Sequence, residues 1–443
     1  MATQAANRFN DLVRKDPAAA REQWEGLLRA FATRGITFGG TPMPTLLRPQ
    51  FVDLSTWHAM TTGAAQLVSL SERVAKNAFG GDLERLLDFL GAPEEHRRLL
   101  RIKPAGPDVA LSRVDGFIDA GRVRFIEINS DAPAGFGYAD RMTEVFAELK
   151  IVAELAGGMR ITSVGSIDAL VNELRRHARV ESPRLAIVDL ASVRTRPDQE
   201  ILREEFLRRG LDTVLADPRE METVNGRLVA QGHPIDVVYR RTVISEVLAI
   251  ESEARAFFEA YAHGRCVFVN SFRCYLSEDK AFFALLTDER FGHLLSPEEG
   301  AFIQAHIPWT RKIEDRRTER DGETIDLVPW LADHRDEMVL KPSHGYGGDR
   351  VTIGSQVTPS EWSHAIHESL QKGQWIAQER VSIPEEEFPV FDVDGSLRFE
   401  SLKVNTNPFY IGGSSAGAVT RVSRDSVINV SAGGGSIPTL VVD

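Results

Sequence analysis

Residues 112–131 read SRVDGFIDAGRVRFIEINSD. Two short runs of alternating character flank Asp119-Ala120-Gly121, a three-residue loop with Gly121 available for the left-handed position, and together they predict a β-hairpin. Such a loop pairs positions whose numbers sum to about 240, which places Arg113 across from Glu127 and sets Asp115 and Asn129 on the same face. Val114, Ile118, Ile126 and Ile128 are then expected on the opposite, buried face. Asp115, Glu127 and Asn129 are hard oxygen donors of the kind Mg²⁺ takes, and Arg113 offers a fork of donors for a phosphoryl or carboxylate oxygen. A charged solvent face carrying an Arg–Glu cross-strand pair fits the same spacing.

Outward from the hairpin, the pattern of the chain changes block by block. Residues 1–110 are expected to form a helical region, because REQWEGLLRAFATRG and STWHAMTTGAAQLVSLSERVAKNAF space apolar residues three and four apart, with Gly35 as a stop. Residues 111–150 carry the hairpin. Residues 151–265 follow βαβ grammar: PRLAIVDL as a buried strand, a helix from about Pro197 to Gly210, DTVLADP as a second strand, a small hairpin at Asn225-Gly226 and PIDVVYRR as a further strand. A Rossmann-like substrate subdomain is the expected outcome. Residues 266–443 begin with a short strand, CVFVN, and an apolar helix around Lys280. The polar run EDRRTERDGETID (314–326) is expected to be a solvated loop, and strands with glycine turns are expected from Met338 onward.

The chain has 443 residues, more than the roughly 100–200 of one ordinary domain, so two or three packed units of mixed α/β type are expected. Its 42% hydrophobic and 26% charged residues supply ample core and exclude disorder as the main state. A net charge of −12 argues against nucleic acid as a partner, since clustered positive charge carries that contact. Two cysteines, Cys266 and Cys274, cannot build a disulfide framework or a four-thiolate zinc site, and they are expected as packed thiols. The opening MATQAANRFNDLVRKDP lacks the apolar core of a secretory signal, and no apolar run approaches bilayer length. A cytoplasmic protein without a membrane partner is the expectation.

A second stretch, MVLKPSHGYGGDRVTIG (338–354), joins a strand ending at Lys341 to a loop of His344, Gly345, Tyr346, Gly347 and Gly348. Backbone N–H groups approach phosphates closely only where side chains are absent, so this loop could cradle a triphosphate; a simple hairpin turn reads the same way. Lys280, in SEDKAFFALL, stands on an otherwise apolar helix, where snorkelling is the common explanation. The strand WIAQERV carries Gln378, Glu379, Arg380 and Val381, whose backbone could meet the edge of an adenine. Arg240 and Arg241 close a strand and Arg421 follows IGGSSAGAVT. Each could hold an anionic substrate, although solvent exposure is the usual fate of arginine. His364 and His367 have no third partner nearby for zinc.

Taken in order, R-x-D, E-x-N twelve residues past the aspartate, a helix-borne lysine and V-L-K-P-S-x-G-Y-G-G resemble the circularly permuted ATP-grasp family related to glutathionylspermidine synthetases. RGITF near residue 35, FIEINSDAPAGFGY at 125–138, DPREMETVNGRLVAQGHPIDVVYRR and the closing GAVTRVS…SAGGGS extend the likeness over most of the chain. The resemblance implies an ATP-grasp core with a Rossmann-like preATP-grasp subdomain. It implies that Asp115, Glu127 and Asn129 bind two Mg²⁺ ions, and that Arg113 stabilises charge on an acyl phosphate and tetrahedral intermediate. It further implies that Lys280 and Lys341 hold the phosphates of ATP, that loop 344–348 covers them and that Gln378, Glu379 and Val381 meet the adenine. SDAPAGFGY departs from the family pattern by lacking the hydroxyls used near glutathione, and the bifunctional relatives' amidase function is not implied.

The activity so implied is an ATP-dependent carboxylate–amine ligase forming an amide through an acyl phosphate, with small-molecule acid and amine substrates. Positioning and electrostatics suffice for phosphoryl transfer, so no cysteine or Ser/His/Asp set is required. A small-molecule kinase and a non-catalytic nucleotide-binding scaffold are the alternatives; a kinase would leave a stable phosphoester, a ligase an amine-dependent amide.

Overall fold

The computed structural model describes residues 1–119, 121–345, 350–392, 394–428 and 434–443. Tyr346, Gly347 and Gly348, and Ala120 of the hairpin loop, lie outside the described residues. The fold is mixed α/β, as expected.

The hairpin strands Leu111–Asp119 and Arg122–Asn129 form, and Gly121 takes the left-handed conformation at φ 80°. Their register differs from the expected one. Arg113 lies opposite Asn129 and Asp115 opposite Glu127: Asp119 pairs with Arg122, which shifts the pairing by one position, and a bulge between Asp115 and Gly116 shifts it by another by inserting one extra residue, Ile126, into the second strand. The bulge shifts the alternation: Phe125 takes the buried place expected for Ile126, which lines the cleft instead. Glycine is required at the bulge, since a Cβ on residue 116 would stand 2.6 Å from the Arg124 carbonyl oxygen. Asn405 and Asn407 hold it there, Asn407 accepting from the Gly116 amide and Asn405 donating to its carbonyl.

The hairpin is not a separate unit. Its first strand pairs antiparallel with Leu397–Ile411, which pairs in turn with Ser414–Ser423 and Glu385–Phe391, making a six-stranded sheet with Gly435–Ile437 at one edge. Helix Leu54–Asn77 covers the back of this sheet, where Met60, Ala64 and Leu67 share one apolar cluster with Val114, Phe125 and Ile128. Burying each large side chain there contributes about 1.5–3 kcal/mol, which fixes which face of the hairpin points away from the core.

Strands Val267–Val269, Val237–Arg240, Arg184–Val188 and Asp212–Ala216 form a parallel sheet in that order, with helix Arg196–Arg208 between the central and the outer strand. CVFVN, placed beyond residue 265 by sequence, is thus an edge strand of the parallel sheet. Asn225 and Gly226, both at positive φ, turn the small hairpin as expected. A third sheet orders Thr310–Lys312, Trp375–Glu379, Met338–Pro342 and Thr352–Ile353, all antiparallel.

Two features run against expectation. Residues 314–326 are not a plain solvated loop: Arg317–Arg320 and Glu323–Asp326 pair as a hairpin turned by Asp321-Gly322, both at positive φ. The Thr318 hydroxyl is buried there, within 2.7 Å of Arg311 Nε, which ties the ribbon down. Within the helical region, Gln50–Asp53 is a strand that runs parallel to Thr439–Val442, with Ile161–Ser163 on the other side. Both cysteines are free, buried thiols, and burial pushes Cys266 up to about 12.

Candidate active site

The exposed face of the six-stranded sheet is the floor of one cleft of about 640 Å³, and the sheet carrying Lys341 forms part of its wall. The second hairpin strand spans the cleft like a ruler. Near its start Arg124 pairs with Glu379 at 3.1 Å; farther along, Glu127 meets Lys280 at 3.2 Å; just past its end Asp131 pairs with Arg240.

Arg113, Asp115, Glu127, Asn129, Lys280, Lys341, Gly345, Gln378, Glu379, Val381 and Arg421 all line this cleft. Arg113 grips Asp115 through Nε at 2.8 Å and Nη2 at 3.3 Å, and Arg421 adds a bond of 3.3 Å. Burial pushes the Asp115 carboxyl up, but Arg113 and Arg421 outweigh it and hold it below the usual range. Arg421 itself is pushed down to about 10 by burial and by its neighbour Arg113. The Asn129 amide nitrogen donates to the Arg113 carbonyl at 3.4 Å, which orients its oxygen as the free donor atom.

The two lysines arrive from separate elements. Asp279 caps helix Lys280–Thr287 by accepting from the Ala281 amide, and Lys280 Nζ donates to the Gly345 carbonyl at 2.8 Å. Burial acts to lower Lys280, but Glu127 and then Asp279 and Glu278 raise it, so it is charged. Lys341 Nζ donates to Gln378 Oε1 at 2.7 Å, and burial lowers it to about 8 despite the attraction of Glu127. The Gln378 side chain therefore orients a lysine. The amides of Glu379 and Arg380 are committed to the carbonyls of Trp309 and Glu337, leaving Val381 as the linker residue past the strand end.

Three sequence candidates are not brought to the cleft. Arg240 is wholly buried, paired with Asp131 and donating to the carbonyls of Thr242, Asn270 and Ser271. Arg241 is buried against Asp198 at 3.0 Å, and Asp198 accepts from the amides of Gly135 and Tyr138. Both arginines thus brace the turn that follows Asn129 rather than face a substrate. His344 turns its ring onto Asp279, the Tyr275 hydroxyl and the Gly91 carbonyl, and Asp279 raises its pKa against the effect of burial. Sequence reading missed Glu278, which accepts from the amides of Ser130 and Asp131 and so ties the Lys280 segment to the end of the Asn129 strand. Its position two residues before a candidate lysine was the one available signal.

The sequence profile of the family described as "Circularly permuted ATP-grasp type 2" matches residues 102–423. The chain belongs to that family. An uncharacterized protein of Mycobacterium leprae is 23% identical over 462 residues, covering 98% of this ATP-grasp chain and 79% of the relative. A putative glutamate–cysteine ligase 2-2 of Frankia casuarinae is 23% identical over 451 residues, covering 92% of the chain and 48% of the relative, so the chain spans about half the length of that protein. Among solved structures, a glutathione synthetase-like effector of Globodera pallida in apo form superposes with a TM-score of 0.65 over 96% of this chain and 97% of that one, at 13% identity, a likeness of fold. Family membership makes this an ATP-grasp ligase-type chain, a class that uses ATP and Mg²⁺. No helix among the described residues is long and apolar enough to cross a membrane.

The donor set suits that ion. Among the described residues no group of three or more His, Cys, Asp and Glu side chains is placed to hold a metal, so a closed all-protein cage does not form. Mg²⁺ characteristically takes one or two carboxylates and completes its shell with water and substrate phosphates. Asp115 and Glu127, with the Asn129 amide beside them and cationic side chains that can exchange from carboxylate to phosphate, match that requirement.

Proposed function

We propose that this chain is an ATP-dependent, ADP-forming carboxylate–amine ligase. The observation that carries the reading is the Lys280–Glu127 contact at 3.2 Å, which joins a phosphate-type lysine to a metal-type carboxylate across one cleft, although the two residues stand 153 positions apart in the chain.

The proposed chemistry needs no side-chain nucleophile. Lys280 and Lys341 hold the triphosphate, and Arg113 with Arg421 holds the substrate carboxylate. A carboxylate oxygen attacks the γ-phosphorus, the bond to the bridging oxygen breaks and ADP leaves. The amine nitrogen then attacks the acyl carbon, phosphate departs with the electron pair of the C–O bond, and the nitrogen loses a proton to leave the amide. Arg113, fixed by its carboxylate fork, stabilises the negative charge that develops on oxygen in both steps. Mg²⁺, held by Asp115, Glu127 and Asn129, would supply charge neutralisation between the anionic acid and the phosphates. Val381 and neighbouring apolar residues Val339 and Ile353 would enclose the base, and the region 151–265 would serve the substrate side.

The test is ADP release across a panel of acids and amines, with mass spectrometry of condensed products. An amine-dependent amide is the expected product; a stable phosphoester would replace the ligase reading by a kinase.

A further inference from the structure

The cleft extends beyond the arginines. The turn after Asn129 and the start of helix Phe136–Ala147 line this end, where Gly135 packs so closely on Val419 that a Cβ would stand 2.6 Å from its methyl carbon. Arg421 lies two residues past Val419 on the same strand, and therefore on the same face, so this chamber adjoins the proposed carboxylate site. Phe38, Met43, Pro133, Tyr138, Met142 and Val243 line it.

Its polar groups are spoken for. The Tyr138 hydroxyl donates to the Thr37 carbonyl at 2.6 Å. Asp131 is the charged side chain of this end among the described lining residues, and it is buried with Arg240 on one oxygen and the Ile244 amide on the other. Arg194 stacks over the Phe38 ring at 4.3 Å but does not line the cleft. Among the described lining residues of this chamber none offers an uncommitted cation to a second carboxylate, and burying an unpaired charge is far more costly than burying hydrocarbon.

Resting on the ligase reading, we infer that the acid substrate has an apolar body: a monocarboxylic acid or amino acid with an aliphatic or aromatic side chain, its carboxylate on Arg113 and Arg421 and its hydrocarbon against Phe38, Met43, Tyr138 and Met142. Dicarboxylic acids such as glutamate are disfavoured by the same surface.

Hydroxylamine separates the acid from the unknown amine, because it attacks an acyl phosphate at carbon and expels phosphate, leaving a hydroxamate. With ATP, Mg²⁺ and hydroxylamine, leucine, phenylalanine or 3-phenylpropionate should give hydroxamate with kcat/KM at least about tenfold above glutamate, aspartate or succinate. Phe38→Ala, at a half-buried position, should raise KM for the apolar acid about tenfold with KM for ATP little changed. Hydroxamate chiefly from dicarboxylic acids, or an unchanged KM for the apolar acid in the variant, would overturn the inference while the ligase reading stands. No hydroxamate from any acid would remove both.

Discussion

Lys341 illustrates how burial sets the task of one side chain. Without nucleotide its ammonium is pushed down to about 8, so above that pH the free protein holds it neutral. A triphosphate binds the charged form, so binding above about pH 8 must take up a proton, and affinity falls as pH rises. ATP affinity measured by calorimetry should weaken up to about tenfold between pH 8 and pH 9, the limit for one proton per unit. Lys341→Arg should flatten that slope, since guanidinium does not titrate there. Glu127 gives a complementary case. Glu127→Ala removes a metal-type oxygen from a face whose reverse side keeps its packing, so the protein should still unfold cooperatively, at a melting temperature lowered by the loss of the Lys280 partner. ADP formation should fall about a hundredfold or more, the equivalent of the several kcal/mol a catalytic ion contributes; a variant turning over like the parent would refute the assignment.

At the scale of elements, the hairpin alternation was legible because charged and apolar residues alternate through Val114 and Ile128. Its register was not: Phe125 and Ile126 are both apolar, so nothing in the sequence marks which of them is the extra residue, and the bulge is decided by the fit of Gly116 against Arg124 and Asn407. Gly116→Ala should therefore cost about 1–3 kcal/mol in urea unfolding, the range for forcing an atom into a packed site. Arg240 and Arg241 were misread for a different reason. An arginine at a strand end looks the same in sequence whether it meets solvent, ligand or a buried carboxylate, and their partners Asp131 and Asp198 lie far away in the chain. Arg240→Met should destabilise by about 3–5 kcal/mol, because it leaves Asp131 buried without its cation, and adding Asp131→Asn should restore part of the loss. The polar ribbon at 314–326 was missed since neither strand shows an apolar face of more than one residue; Asp321-Gly322 was the signal to weigh.

Across the whole molecule, the metal-type hairpin is completed by strands from the far C-terminal part of the chain, and the six-stranded sheet and the sheet carrying Lys341 meet around one cleft. The permuted order was readable from the succession of motifs, but the small sheet joining residues 50–53, 161–163 and 439–442 was not, because its strands are short and share no local signal. Thr439–Val442 is its central strand and every residue in it is buried. Removing residues 439–443 should abolish the cooperative thermal transition, whereas removing Asp443 alone, which is exposed, should leave it in place.

That central strand also bears on synthesis. Gln50 cannot acquire its neighbour until Thr439 has left the ribosome, so the helical layer emerges first and waits, one sheet edge uncovered, while the residues between them are made. A nascent chain of this kind offers chaperones a long interval of engagement, and a product stalled or cleaved before Thr439 would lack the strand that closes this sheet.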